Sequence, residues 1–234
     1  MSLELQGVSQ VVDGQLHIAP TNLVLEKGTM NVLLGPTSSG KTSLMRLMAG
    51  LDKPSTGRIL SSGKDVTNQR VQLRNVAMVY QEFINYPGMT VFDNIASPLR
   101  LKGQSKADID RTVRTTAEML KLTSILQRRP LELSGGQQQR CALARALVKG
   151  AELVLLDEPL AGIDPIAIND VKKLINKLKS KNIGVLITDH NVRETLEIVD
   201  RAYILFDGSV IMSGVPNQVK SDKRVRDVYL GNDF

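Results

Sequence analysis

The run M-N-V-L-L-G-P-T-S-S-G-K-T at residues 30–42 joins a short apolar segment to a glycine-rich turn. The apolar part ends at Gly35, which predicts a strand, and helical periodicity follows Gly40. Between them the sequence fits G-x-x-x-x-G-K-[ST], a loop whose backbone N–H groups and following helix N-terminus cradle phosphate. The residues predicted to bind the phosphates are Gly35, Pro36, Thr37, Ser38, Ser39, Gly40, Lys41 and Thr42.

Two side chains of this loop are suited to different parts of a nucleoside triphosphate. Lys41 can neutralise oxygens of the β- and γ-phosphates, and Thr42 can offer its hydroxyl to Mg²⁺. The alternative is a glycine-rich turn without a ligand. A second motif is therefore needed to choose between the two interpretations.

That second motif is L-V-L-L-D-E-P at residues 153–159, an apolar strand that ends in two carboxylates. Asp157 would help to hold Mg²⁺, largely through its water shell, and Glu158 would polarise the water that attacks the γ-phosphate. A solvated acidic turn is the alternative. An apolar strand that delivers Asp-Glu in the same chain as a phosphate loop favours the nucleotide site.

The remaining pattern predicts a single α/β domain over residues 1–234. Residues 153–156 and 183–187 are apolar without alternation, as in central parallel strands, and 3–8 and 23–26 also have strand character. Helical periodicity occurs at 108–121, 134–148, 166–178 and 192–199. We expect a core formed by residues 1–86 and 149–234, with a helical subdomain inserted at 87–148.

The bulk composition is that of an ordinary globular protein, with 42% hydrophobic and 23% charged residues. The sequence lacks an apolar run of about 20 residues and a secretory signal, so we expect a cytoplasmic protein. The net charge of +6 would suit polyphosphate, acidic lipid or nucleic acid. An aromatic content of 3% without tryptophan argues against stacking on single-stranded nucleic acid, and no nucleic-acid partner is expected.

The segment L-S-G-G-Q at residues 133–137 completes an ordered set of motifs. The phosphate loop comes first, followed by Gln81, this segment, the acidic strand and finally His190. The order resembles that of the ABC ATPases, and the likeness covers essentially the whole chain. Ser134 could instead simply cap a helix, although a capped helix N-terminus would also point at a phosphate.

The resemblance implies an ATPase that uses ATP and Mg²⁺, works as a head-to-tail dimer and drives separate transmembrane permease subunits. It also implies an α/β phosphate-loop NTPase core with an N-terminal antiparallel β subdomain and an inserted helical subdomain. Two ATP molecules would lie between the copies, and the protein would sit peripherally on the inner face of the cell membrane. Gln81 would sense the γ-phosphate and Mg²⁺, His190 would contact the γ-phosphate, and Asp164 would connect the two sites. The residues facing the other copy's nucleotide would be Ser134, Gly135, Gly136 and Gln137.

Two positions depart from the family pattern. The family usually places an aromatic residue near the N-terminus to stack on adenine, whereas Val11 and Val12 stand there. Adenine contact would then be apolar only, which predicts weak discrimination of ATP from GTP. Ser38 occupies a position that is often glycine, so a local backbone adjustment is expected.

The two parts of the chain resemble different transporter ATPases. Residues up to about 160 resemble the ATPases of carbohydrate and glycerol-phosphate importers, for example in N-V-A-M-V-Y-Q-E-F-I-N-Y-P. The remainder resembles the ATPase of lipopolysaccharide export, for example in V-Y-L-G-N-D-F. A divergent natural member and a joined chimera both account for this. The region around Gln81 lies in the importer-like part, so import is expected and export is the alternative.

Other classes fit the motifs less well. A soluble ABC ATPase acting on nucleic acid or the ribosome would be expected to carry a long coiled coil or a second cassette, and the sequence shows neither. A small-molecule kinase on a phosphate-loop fold would not require L-S-G-G-Q. It would also leave Gln81 and His190 without a role.

Overall fold

The computed structural model describes residues 2–82, 84–159, 173, 176–189 and 191–231. The described strands are β1 (Leu3–Val12), β2 (Gln15–Leu25), β3 (Met30–Leu34), β4 (Thr56–Ser61), β5 (Lys64–Asp65), β6 (Val76–Val79), β7 (Leu153–Asp157), β8 (Gly184–Thr188), β9 (Arg201–Phe206) and β10 (Ser209–Gly214). Helices within the described residues include α1 (Lys41–Ala49), α2 (Val91–Leu101), α3 (Lys106–Met119), α4 (Gly135–Val148), α5 (Val192–Leu196), α6 (Pro216–Ser221) and α7 (Lys223–Val225), followed by a π-turn at Arg226–Leu230.

The larger sheet has the strand order β10-β9-β3-β8-β7-β6. Its strands run parallel except for β10, which adds an antiparallel edge. Every residue of β3, β7 and β8 is buried, which confirms the central strands predicted from unalternating apolar runs. The carboxyl ends of these strands meet at one edge, because Thr188 pairs with Leu33 on one side and Asp157 on the other.

The smaller sheet is antiparallel, with the order β2-β1-β4-β5, and confirms the N-terminal antiparallel β subdomain. Its first two strands extend beyond the predicted residues 3–8 and 23–26. They turn at Asp13 and Gly14, whose φ angles of 50° and 76° match the Asp-Gly hairpin signal.

Helix α1 is packed into the layer between the two sheets. Leu44 and Met48 are fully buried and share a hydrophobic cluster with Leu33 of β3 and Leu155 of β7. Helices α2 and α4 cover the opposite face of the larger sheet in a second cluster. The loop between β3 and α1 is therefore anchored at both ends in packed core.

Residues 87–148, all of which the structure describes, contain α2, α3, α4 and two 3-10 turns but no strand. The helix predicted at 108–121 lies at 106–119, two residues earlier at each end. Its start is fixed by Ser105, whose side chain accepts the N–H of Asp108. The predicted helix at 192–199 ends at Leu196, and most of the one at 166–178 lies outside the described residues. The predicted boundaries of the helical subdomain, at residues 87 and 148, stay a prediction.

None of the helices in the described parts of the chain is long and apolar enough to cross a membrane.

Candidate nucleotide-binding site

The phosphate loop leaves β3 at a position that only glycine can occupy. A Cβ on Gly35 would lie 2.0 Å from the carbonyl oxygen of Leu205, and the φ of 154° is also unfavourable for other residues. Helix α1 then begins after Gly40, which has φ 98° and provides no side-chain cap. The first N–H groups of α1 are consequently left for an anion.

Lys41 is a buried cation held by the loop itself. Its side chain is 6% exposed, and Nζ donates to the carbonyl oxygens of Gly35 at 2.9 Å and Pro36 at 2.8 Å. Burial lowers the pKa of this ammonium, while Glu158 and Asp157 raise it to a smaller extent. Neutral carbonyls compensate only part of the desolvation of a charge, so this position favours an anionic ligand.

Asp157 has both carboxylate oxygens fixed by hydroxyl groups. Thr42 Oγ1 donates to Oδ2 at 2.9 Å, and Thr188 Oγ1 donates to Oδ1 at 2.7 Å. A hydroxyl beside a carboxylate is a hard oxygen donor set that fits Mg²⁺. The described residues contain no cluster of three His, Cys, Asp or Glu side chains that could hold a metal. The remaining ligands would be phosphate oxygens and water.

Glu158 is oriented by its backbone. Its φ is 48°, in the left-handed region that non-glycine residues rarely adopt. Its N–H donates to both the carbonyl oxygen of Thr188 at 3.1 Å and the Oγ1 of that residue at 2.9 Å. Thr188 therefore fixes both acidic residues, and the sequence analysis missed it. Its position at the end of an apolar strand was the only signal.

The loop and Glu158 surround one cleft with a volume of about 470 Å³. The cleft is lined by Gln15, Leu16, His17, Thr37, Ser38, Gly40, Lys41, Thr42, Ser43, Glu158, Asp207 and Gly208. Ser39 is buried beneath it, and its Oγ has no hydrogen-bond partner among the described residues. The structure thus assembles most of the predicted phosphate-binding residues around one space.

The L-S-G-G-Q segment lies at the start of α4 and does not line this cleft. Ser134 caps the helix in a reciprocal capping box, because its Oγ accepts the N–H of Gln137 at 3.4 Å and its own N–H donates to Gln137 Oε1 at 3.0 Å. Ser134 and Gly135 are exposed, and Gly136 and Gln137 are half-buried.

Of three further predicted residues, the structure describes only Gln81, which does not line the cleft. Gln81 is exposed in the turn after β6. His190 and Asp164 lie outside the described residues. The loop after Gln81 is tied to α4, because Asn85 Nδ2 donates to the carbonyl oxygen of Gln138 at 2.9 Å.

Tyr229 is a second residue near the site that the sequence analysis missed. Its side chain packs against the main core cluster, and burial raises the pKa of its hydroxyl. The Gly35 backbone is close enough to lower that pKa, and the carboxylates of Asp189 and Glu158 raise it. No local signal marks it, since the C-terminal segment reaches the loop only through the fold.

The two departures from the family pattern are visible in the structure. Val11 and Val12, which stand where an aromatic residue is usual, lie in β1 and are 46% and 38% exposed. Ser38 has φ 63°, a left-handed conformation that glycine adopts without strain. His17, which the sequence did not connect with the site, lies on β2 and lines the cleft.

This combination of a strand, a glycine-rich loop, an uncapped helix and a hydroxyl-fixed carboxylate defines a phosphate-loop nucleotide-binding protein. The model of the ABC transporter family matches residues 18–161. The chain therefore belongs to the ABC transporter family, as the order of motifs indicated, and it is an ATPase component.

Relatives in this family serve different systems. The chain is 36% identical to the lipopolysaccharide export system ATP-binding protein LptB of Haemophilus influenzae, over 93% of this chain and 92% of that protein. It is also 36% identical to the sulfate/thiosulfate import ATP-binding protein CysA of Thermosynechococcus vestitus, over 94% of this chain and 66% of that protein. Among solved structures, the chain is similar to a dimeric post-hydrolysis state of the ATP-binding cassette MJ0796 bound to ADP and Pi. The TM-score is 0.83 and the sequence identity is 26%, over 92% of this chain and 98% of that chain.

Proposed function

We propose that this chain powers a separate membrane permease by ATP-driven, head-to-tail dimerisation. The observation that carries this proposal is the separation of the phosphate loop from the N-terminus of α4 within one chain. The phosphate loop lines the cleft, whereas the exposed N-terminus of α4 at Ser134 does not. A second copy related by two-fold symmetry would bring its own α4 N-terminus to the γ-phosphate. The dimeric relative bound to ADP and Pi supports this arrangement.

Within one copy, the phosphate loop would hold ATP through its backbone and through Lys41. The ammonium would exchange its hydrogen bonds with Gly35 and Pro36 for oxygens of the β- and γ-phosphates. Thr42 and Asp157 would hold Mg²⁺, which when bound neutralises charge on the phosphate oxygens. Their existing 2.9 Å hydrogen bond already places these two groups together.

Glu158 would accept a hydrogen bond from the attacking water and so orient it toward the γ-phosphate. Its position on the wall of the cleft supports this role. Gln81 and His190 would contact the γ-phosphate, and Asp164 would connect the two sites. From the other copy, the γ-phosphate would be held by Ser134, Gly135, Gly136 and Gln137.

The hydrolytic role is tested with Glu158→Gln, which keeps the shape and removes the negative charge. This variant should bind ATP as tightly as the parent and hydrolyse it at least about 100-fold more slowly, within the range of general base catalysis. It should also accumulate as a dimer in ATP when examined by size-exclusion chromatography with light scattering. Hydrolysis at the parental rate would contradict the role of Glu158, and an ATP-bound monomer would contradict the dimer.

The permease would bind beside Gln81 at the inner face of the cell membrane. A cavity of about 230 Å³ lies there, lined by Tyr80 and Ile84 of the loop and by Arg145 and Lys149 of the α4 end. This region belongs to the importer-like part of the sequence, which favours carbohydrate or glycerol-phosphate import. Lipopolysaccharide export is the second candidate, supported by the relative that serves that system.

Two solubilised permease pairs distinguish these candidates, one from a carbohydrate importer and one from lipopolysaccharide export. Co-purification and stimulated ATP hydrolysis with the importer pair alone would support import. Coupling to the exporter pair alone would reverse the direction of transport. Coupling to neither would contradict both candidates.

A further inference from the structure

Gln139 is a buried amide that the proposed site does not use. It lies in α4, two residues after L-S-G-G-Q, and it is 2% exposed. Its Nε2 donates to the carbonyl oxygen of Pro159, the residue directly after Glu158. Its Oε1 is also buried and has no hydrogen-bond partner within the described part of the chain. Burying an amide with an acceptor unsatisfied is costly, which an apolar side chain here would avoid.

The hydrogen bond connects two elements that are far apart in sequence. Glu158 already has its N–H fixed by Thr188 on the side of β8. Gln139 restrains the chain on the other side of Glu158, because it fixes the direction of the Pro159 carbonyl. The backbone of Glu158 is consequently held between the central sheet and α4.

The same helix also holds the loop that contains Gln81. The backbone carbonyl of Gln138 accepts Asn85 Nδ2 at 2.9 Å, and Arg145 Nη1 donates to the carbonyl of Ile84 at 2.5 Å. The guanidinium of Arg145 additionally lies 4.3 Å from the ring centroid of Tyr86. A displacement of α4 would therefore move the loop after Gln81 and the Pro159 carbonyl together.

We propose that Gln139 is a positioning residue that couples the location of α4 to the orientation of Glu158. Ser134 begins α4, and Gln139 lies about 7.5 Å further along the helix axis at 1.5 Å per residue. Contact of the α4 N-terminus with a nucleotide on a second copy would thus be transmitted to the carbonyl of Pro159, the residue that follows Glu158 in the same chain. The inference rests on the proposed function, since it requires that Glu158 orients the water and that two copies associate.

The test is Gln139→Met, which preserves length and helix propensity and removes the amide. Gln138→Met is the matched control, because that side chain is half-buried and, among the described residues, its Nε2 donates to the Leu133 carbonyl alone, at 3.3 Å. Gln139→Asn is a second variant that keeps the amide but shortens the side chain by one methylene. Each is examined for steady-state ATP hydrolysis, for affinity of a fluorescent ATP analogue and for thermal stability. Each is also combined with Glu158→Gln to measure ATP-dependent dimerisation.

We expect both Gln139 variants to lower kcat about tenfold, which corresponds to about 1.4 kcal/mol in the barrier. Nucleotide affinity and dimerisation should stay within about twofold of the parent, and Gln138→Met should match the parent throughout. A structural role alone would reduce affinity, dimerisation and stability together with kcat, and that result would overturn the inference. Parental kcat in either Gln139 variant would also overturn it. Failure of the parent to hydrolyse ATP would instead refute the proposed function, and this inference with it.

Discussion

Thr188→Val removes one hydroxyl that orients both acidic residues of the site. Thr188 is fully buried, and its Oγ1 donates to Asp157 Oδ1 at 2.7 Å while accepting the N–H of Glu158 at 2.9 Å. A hydrogen bond to a charged group contributes about 1.5–3 kcal/mol, so the variant should lose about 2 kcal/mol of unfolding free energy. For a chain of this size that corresponds to a fall in Tm of about 4–8 °C. The backbone bond from Glu158 to the Thr188 carbonyl remains, so the fold should persist.

Hydrolysis should be affected more than stability, because a small displacement of reacting groups is costly. We expect kcat to fall about 10- to 100-fold in Thr188→Val. Thr195→Val is the matched control, since Thr195 is 1% exposed and its Oγ1 donates to the Asn191 carbonyl at 2.7 Å, its one hydrogen bond in the described part of the chain. The control should lose about 1 kcal/mol and keep the parental kcat. Urea denaturation measures the loss of unfolding free energy, and steady-state ATPase assays measure kcat. If Thr188→Val lost no more stability than Thr195→Val and kept the parental kcat, the reasoning would be refuted.

Four further predictions concern other parts of the cleft and core. Ser38→Gly should stabilise the chain by about 0.5–1 kcal/mol in urea denaturation, because φ 63° is unstrained for glycine, and a destabilised variant would contradict this. Burial raises the pKa of Cys141 from 9.0 to about 12. The thiol should therefore resist modification by maleimide at pH 8 until the chain unfolds, and rapid labelling of the native protein would contradict this. The same raised pKa contributes stability below pH 9.0 that is lost as the pH rises toward about 12. Because the apolar Val11 and Val12 stand where an aromatic is usual, kcat/KM for ATP and GTP should differ by less than about tenfold in a coupled assay, since an apolar contact distinguishes polar ring substituents only weakly.

Local rules explain which parts of the fold the sequence could predict. The β3 strand, the phosphate loop and α1 follow from adjacent residues, as does the cap that Ser134 provides for α4. Short strands such as β6, with four residues, offer too few positions for a pattern to appear. The hairpin of β9 and β10 did carry a local signal, the turn dipeptide Asp207-Gly208. The pattern of apolar residues, from which strands and helices were predicted, does not detect such a turn.

Contacts between distant segments were beyond such rules. Thr188 reaches Asp157 because β7 and β8 are adjacent parallel strands in one register, although the two residues are 31 positions apart. Gln139 reaches Pro159 only because α4 is packed in the core cluster on the larger sheet. The sequence therefore identified the acidic residues of the candidate site, whereas the groups that orient them required the tertiary structure.

The conformation of Glu158 links these groups to the chemistry proposed for the site. A left-handed backbone at a non-glycine residue costs about 1–2 kcal/mol, and it persists only where the surroundings hold it. Here Thr188 fixes the N–H of Glu158, and Gln139 fixes the carbonyl of the next residue. The backbone from which the Glu158 side chain extends is therefore held by two neighbouring elements. Because one of those elements is the helix that would meet the second copy, the strained residue is placed where dimerisation could adjust it.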